Sequence, residues 1–128
     1  MKTFTKIITV TKKDIDDLNH VNNVRYVEWV NTIAKSHWLE KASKKTVEHY
    51  FWVLLSHTIE YKKAAFLNEE LLLKTYVVQA EGITSIRIVE IYNNSTQTLL
   101  VKSETKWCFI NAQTQKPSRI TKEISELF

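Results

Sequence analysis

The sequence predicts an α+β fold, a curved antiparallel sheet of about five strands wrapped around one long central helix. Three observations predict it. Strand-like segments fill most of the chain, a single long segment has helical periodicity, and that segment is apolar around most of its circumference. A helix of that kind needs other structure around it, and an antiparallel sheet has one face to cover.

The elements follow in order. Residues 3–11, "TFTKIITVT", are rich in β-branched residues and read as a first strand. A polar turn, "DIDDLNHVNNVRY" at 14–26, leads into the helix, which starts near Asn22 or Asn23 because Asn is a strong N-cap. Arg25, Glu28, Thr32 and Lys35 form a narrow polar stripe along it; Tyr26, Val27, Trp29, Val30, Ile33, Ala34 and Trp38 occupy the rest. Next, "FWVLLSHTIEYKKAAF" alternates, with Val53, Leu55, His57, Ile59 and Tyr61 on one face. "ELLLKTYVVQA", "ITSIRIVEIYNN" and "QTLLVKSETKWCFIN" complete four consecutive strands, expected to form an antiparallel meander with turns at Glu81-Gly82 and "NNSTQ". A short closing helix is expected from Thr121 to Phe128, after Pro117. An open sheet of this kind leaves edge strands, and their pairing in a symmetric dimer is the natural completion.

Composition narrows the function classes. The 128 residues, 44% hydrophobic and 25% charged, suit one self-folding domain. Cys108 is the only cysteine, so an intramolecular disulfide and a cysteine-based zinc cluster are both excluded. A reducing, cytoplasmic setting is expected. No run approaches the roughly 20 apolar residues of a membrane span, and the N-terminus lacks a signal-peptide core. The net charge of +4 is scattered in short lysine pairs, which does not indicate a nucleic-acid partner and equally favours an anionic small ligand. An EF-hand reading of "DID" fails, because the sixth position is Asn19 and the twelfth Arg25. The four histidines, at 20, 37, 49 and 57, lack zinc spacing, and no metal or cofactor is assigned.

The β-α-β-β-β-β order together with "DIDDLNHVNNVRYVEW" resembles the hotdog-fold thioesterases, within them the 4-hydroxybenzoyl-CoA thioesterase and acyl-ACP thioesterase group. That pattern runs Asp-x-Asp, three residues, His-Val-Asn-Asn, two residues, Tyr. Asp14, Asp16, His20, Val21, Asn22, Asn23 and Tyr26 match it. "HTIEYKK" at 57–63 and "TQKPSRITKEI" at 114–124 resemble the family's second strand and closing segment, so the likeness spans nearly the whole chain. There are two departures. Bacterial CoA-thioesterases usually continue Pro-x-Gly where this chain has Asp17, Leu18 and Asn19; Asn19 can stand for Gly if the turn needs φ > 0. The further catalytic residues of the plant acyl-ACP enzymes are replaced by Leu18, Ala64 and Ala65, which favours a mechanism centred on Asp16.

The resemblance implies hydrolysis of an acyl-CoA or acyl-ACP thioester by a homodimer or homotetramer. Asp16 would be the nucleophile or general base, and the Asn23 N–H, at a helix N-terminus, would polarise the thioester carbonyl. His20 is either an orienting group or a structural hydrogen-bonding residue; Asn22 is a helix cap, a substrate contact or both. Asp14 would brace the loop. Tyr26 belongs to the core or to the acyl pocket, and His57 is an inward structural histidine or a substrate contact. Lys62, Lys63, Arg87 and Lys102 are the candidate phosphate-binding cations, with a solvated face as the plainer reading. Arg87, among apolar strand residues, needs a partner. A non-catalytic acyl-thioester or lipid-binding protein of the same fold is the alternative.

Overall fold

In the computed structural model residues 2–128 are described. Strand β1 (Phe4–Thr9) passes through a single 3-10 turn at Lys12–Asp14 into helix α1 (Asn23–Lys41), followed by a short helix α2 (Lys44–His49). Strands β2 (Tyr50–Tyr61), β3 (Glu70–Glu81), β4 (Thr84–Asn93), β5 (Leu99–Asn111) and β6 (Lys116–Pro117) and helix α3 (Lys122–Leu127) complete the chain. Asn22 caps α1 by accepting the Val24 N–H, and Thr121 caps α3 by accepting from Ile124 N. Helix α2 was not foreseen; its cap Ser43 accepts the Thr46 N–H, but none of its residues is buried, so it carries no apolar periodicity to read.

The sheet is antiparallel throughout, in the order β1-β3-β4-β5-β2. The expected four-strand meander is therefore corrected: β3, β4 and β5 are a meander, whereas β2 pairs with β5 at the far edge. Residues 62–69, read as strand and turn, instead carry the chain across the sheet. Lys62 and Lys63 donate their N–H groups to Leu100 O, Val21 donates to Ala65 O, and Asn68 donates to Val10 O. Eight linker residues exceed a hairpin loop, and each of these bonds satisfies a backbone group that a strand would have paired.

A second correction concerns the faces of β2. The register slips between Leu54 and Ser56, a β-bulge at Leu55. Strand parity inverts across it. Tyr50 and Trp52 pack inward on Phe109, and beyond the bulge His57 and Ile59 face inward, while Val53 and Leu55 are exposed. A bulge changes parity without changing composition, so alternation counted along the chain failed there.

The inner sheet face covers one side of α1. Tyr26, Trp29, Val30 and Ile33 pack with Leu71, Leu73, Val89, Ile91 and Val101; further along, Trp38 packs with Phe109 and Ile124. Each such side chain contributes about 1.5–3 kcal/mol by leaving water. The other side of the helix, including Asn31, Lys35 and Leu39, is exposed in the single chain, so the helix is not wrapped on all sides as its composition suggested.

His37 is a buried histidine that stays neutral at pH 7. His37 is fully buried, stacked on Phe4 at 5.1 Å, and its Nδ1 accepts from Arg87 Nη1 at 2.9 Å. Burial, then the charges of Arg87 and Lys41, pull its pKa from 6.5 down to about 4. Because the unfolded chain binds the proton more readily, stability is fully present above pH 6.5 and declines as pH falls from 6.5 to about 4. The loss should reach on the order of 2–3 kcal/mol. Urea unfolding at pH 7 and pH 4.5 checks this, with His37→Gln removing that part of the dependence.

Candidate active site

The polar turn between β1 and α1 is a small closed loop. Ile15 and Val21 pair across its neck, the Asp16 N–H donates to His20 O at 3.0 Å, and the Asn19 N–H donates to Asp16 O at 3.1 Å. Asn19 has φ +63°, the left-handed conformation required of an Asn standing in for Gly. The Leu18 N–H donates to Asp16 Oδ1 at 2.8 Å, an Asx turn that fixes the carboxylate.

Asp14 is the strut beneath this loop, as the sequence suggested. Only 3% exposed, its carboxylate accepts from Thr11 N and Oγ1 and from Arg25 Nε at 2.7 Å, and its carbonyl accepts the Asn22 N–H at 2.8 Å. Burial raises its pKa, but the Thr11 hydrogen bonds and the Arg25 charge outweigh it, and the net shift is downward from 3.8. Arg25 also pairs with Glu28 and lies over the Trp29 ring. Side chain and backbone of one residue thus set where α1 begins.

At that start, Asn22 uses its side chain on Val24 N, which leaves the Asn23 N–H without a protein acceptor among the described residues. A free N–H at a helix N-terminus carries partial positive charge toward whatever faces it. A cleft of about 340 Å³ opens there, lined by Asp16, His20, Asn23, Tyr26, Lys62 and Lys63 among others. Asp16 is the only carboxylate in its lining, against two lysines. Tyr61 at the end of β2 and Ala64 of the β2–β3 link also line it.

Tyr26 ties that link to the helix. Its buried hydroxyl accepts the Ala65 N–H at 3.1 Å, beside the Val21 N–H to Ala65 O bond of 3.0 Å. Burial raises the phenol pKa, so the group stays protonated at neutral pH. Tyr26→Phe leaves a buried N–H unpaired and should cost about 1–2 kcal/mol. Thermal unfolding checks the loss.

The remaining sequence candidates lie elsewhere. Asn22 is exposed at its capping position, outside the cleft lining. His57 sits half-buried on the inner face of β2, its Nε2 2.8 Å from Ser103 Oγ, and burial lowers its pKa. Lys102 lies in register between Glu60 and Glu90 of the adjacent strands. Arg87 is not in the cleft: it is buried against His37 and Thr75, far along α1. His37, its partner, was missed in the sequence. The spacing that marked Val30, Ile33 and Ala34 also places residue 37 on the buried stripe.

Sheet order, a long helix packed along the inner sheet face and a carboxylate beside that helix's N-terminus together define a hotdog-fold domain. Comparison with known proteins then gives the family. A sequence model of the thioesterase-like superfamily matches residues 10–128, and the chain belongs to that superfamily. Among solved structures, a 1,4-dihydroxy-2-naphthoyl-CoA thioesterase from Synechocystis is similar, at 18% identity and TM-score 0.84 over 98% of this chain and 95% of that one. A probable thioesterase from Escherichia coli has 23% identity and TM-score 0.83, covering 96% of this chain and 94% of that one. A Staphylococcus aureus protein solved in complex with CoA has 19% identity and TM-score 0.84, covering 98% and 81%. At these identities the likeness establishes the fold. No curated protein matches the chain in sequence.

Proposed function

We propose that this protein hydrolyses acyl thioesters of CoA or of acyl-carrier protein. The observation that carries the reading is the cleft at the start of α1, where Asp16 is the only lining carboxylate beside the unpaired N–H of Asn23. The thioester carbonyl oxygen would point at that N–H, which stabilises the negative charge developing there. Asp16 either attacks the carbonyl carbon or takes a proton from an attacking water. With water attacking, its oxygen bonds the carbonyl carbon, the carbon–sulfur bond breaks, and the proton taken by Asp16 passes to the thiolate, giving a free acid and a thiol. With Asp16 attacking, the same carbon–sulfur cleavage leaves a mixed anhydride on Asp16, which a water hydrolyses to the free acid, its proton going to the thiolate. His20 and Asn22 would orient the carboxylate or the carbonyl, and Tyr26 would floor the acyl end. Lys62 and Lys63 would meet the carrier's phosphates; His57 and Arg87, away from the cleft, would contact substrate only further along its acyl chain or across a subunit boundary.

The assembly that suits this reading is a homodimer through the open edge of β2, or a tetramer built from two such dimers. Val53, Leu54 and Leu55 are 42%, 38% and 53% exposed on that edge strand, an apolar edge that a free monomer would leave in water. The test is a thiol-release screen across short, medium, long and aromatic acyl-CoAs, run beside thermal shift with the same esters. Turnover of at least one ester supports the hydrolase; stabilisation without thiol release from any of them supports a binding protein of the same fold.

A further inference from the structure

A second cavity, of about 410 Å³, shares no lining residue with the cleft. It opens between the second half of α1, the inner sheet face and α3. Three of the four tryptophans, Trp38, Trp52 and Trp107, line it with Phe128, and its few polar contributors include Ser85 and Arg87. Its size falls in the range of about 300–1,000 Å³ typical of small-molecule sites. His37, which holds Arg87, stands fourteen residues further along α1 than Asn23, about 21 Å by helical rise.

Arg87 is the unusual member. It is 7% exposed, yet no carboxylate lies within 4.0 Å of its guanidinium among the described residues. Its Nη1 donates to His37 Nδ1 and to Thr75 Oγ1, both at 2.9 Å, and Phe128 lies under its Cζ at 5.8 Å. Neither hydrogen-bond partner is an anion: Thr75 is a hydroxyl, and His37 is neutral at pH 7. Burial draws the guanidinium down only to about 10, so it remains charged. A buried cation without a counter-ion is costly and pairs readily with an anion that reaches it. His37 and Thr75 occupy one nitrogen and hold the fork in place, and the cavity gives access to the rest.

From this juxtaposition we infer a second ligand site, for a monocarboxylate with an apolar body: the carboxylate on Arg87, the body among Trp38, Trp52 and Trp107. Arg87 is the one buried cation of the lining, Lys35 being solvent-exposed, and its guanidinium with nearby Ser85 matches one negative charge delivered bidentately. The apolar walls disfavour a phosphate dianion, which would have to give up its water among the tryptophans. Free fatty and aryl-alkyl acids have this chemistry. The inference stands on Arg87 and its cavity and does not depend on hydrolysis at Asp16.

Calorimetric titration at pH 7.5 with octanoate and with octanol, its uncharged counterpart of equal chain length, tests the assignment. Wild-type protein should bind octanoate about tenfold or more tighter than octanol. Arg87→Met, which removes the charge while keeping apolar bulk, should erase that preference. Ala80→Phe, which fills the cavity from β3 at a position in register with Ser85 and leaves residue 87 an arginine, should weaken both ligands and keep the inference testable if Arg87→Met does not fold. Equal binding of octanoate and octanol to the wild type, no octanoate binding, or unchanged octanoate binding in either folded variant would overturn it.

Discussion

Asp14→Ala should lower the stability of the protein by about 3 kcal/mol and its melting temperature by roughly 10 °C. The size follows from what the side chain holds. Its buried carboxylate takes two hydrogen bonds from Thr11 and one from Arg25, so removing it leaves the Thr11 donors and the Arg25 Nε–H unpaired and Arg25 with Glu28 as its one remaining ion-pair partner among the described residues. Asp14→Asn is the informative companion, since it keeps the shape and loses the charge; it should recover part of the loss but not the Arg25 pairing. The pH dependence has a definite sign. Because the folded pKa lies below 3.8, the contribution is fully present above that value and is lost as pH falls beneath it. Urea unfolding of the three proteins at pH 7 and pH 3 measures both effects, and equal stabilities at pH 7 would remove Asp14 from its place under the loop. The Ala variant keeps the backbone carbonyl that receives the Asn22 N–H, so that bond to the helix start should survive where the protein stays folded.

Much of this arrangement was legible in the sequence, for physical reasons that differ between elements. The start of α1 near Asn22 or Asn23, the turn at Gly82 with φ +64° and the closing helix near Thr121 rest on chemistry confined to a few neighbouring residues. The left-handed Asn19 followed from the same local logic. What was missed depends on pairing over distance. The bulge at Leu55 leaves no trace in composition, yet it turns Val53 and Leu55 outward. The position of β2 beside β5 is decided by a linker whose backbone bonds go to Leu100, Val21 and Val10, none of them near in sequence. The cleft was half visible. Asp16, His20, Asn23 and Tyr26 stand within thirteen residues and meet in space, whereas Lys62, Lys63 and Ala64 reach it only because that linker crosses the sheet. Arg87 showed its need for a partner as a charged residue on an apolar strand face. Its partner, fifty residues earlier, could be found only by combining the helical stripe with the sheet register.

Asp16→Asn carries the largest expected effect on activity. The substitution keeps an oxygen in reach of the Leu18 N–H, so the Asx turn at 2.8 Å survives and the loop should fold as before. What it removes is the negative charge and basicity of the one carboxylate in the cleft lining. A general base contributes about 10²–10⁴-fold and a nucleophile at least as much, so the rate should fall by about a thousandfold or more. The loss should appear in kcat, with KM little changed, because Lys62, Lys63 and the acyl contacts are untouched. The deciding measurement is the rate of thiol release from the best acyl-CoA substrate by wild-type and Asp16→Asn protein, with matched melting temperatures. The proposed mechanism predicts steady turnover for the first and a loss of about three orders of magnitude for the second; equal rates would contradict it.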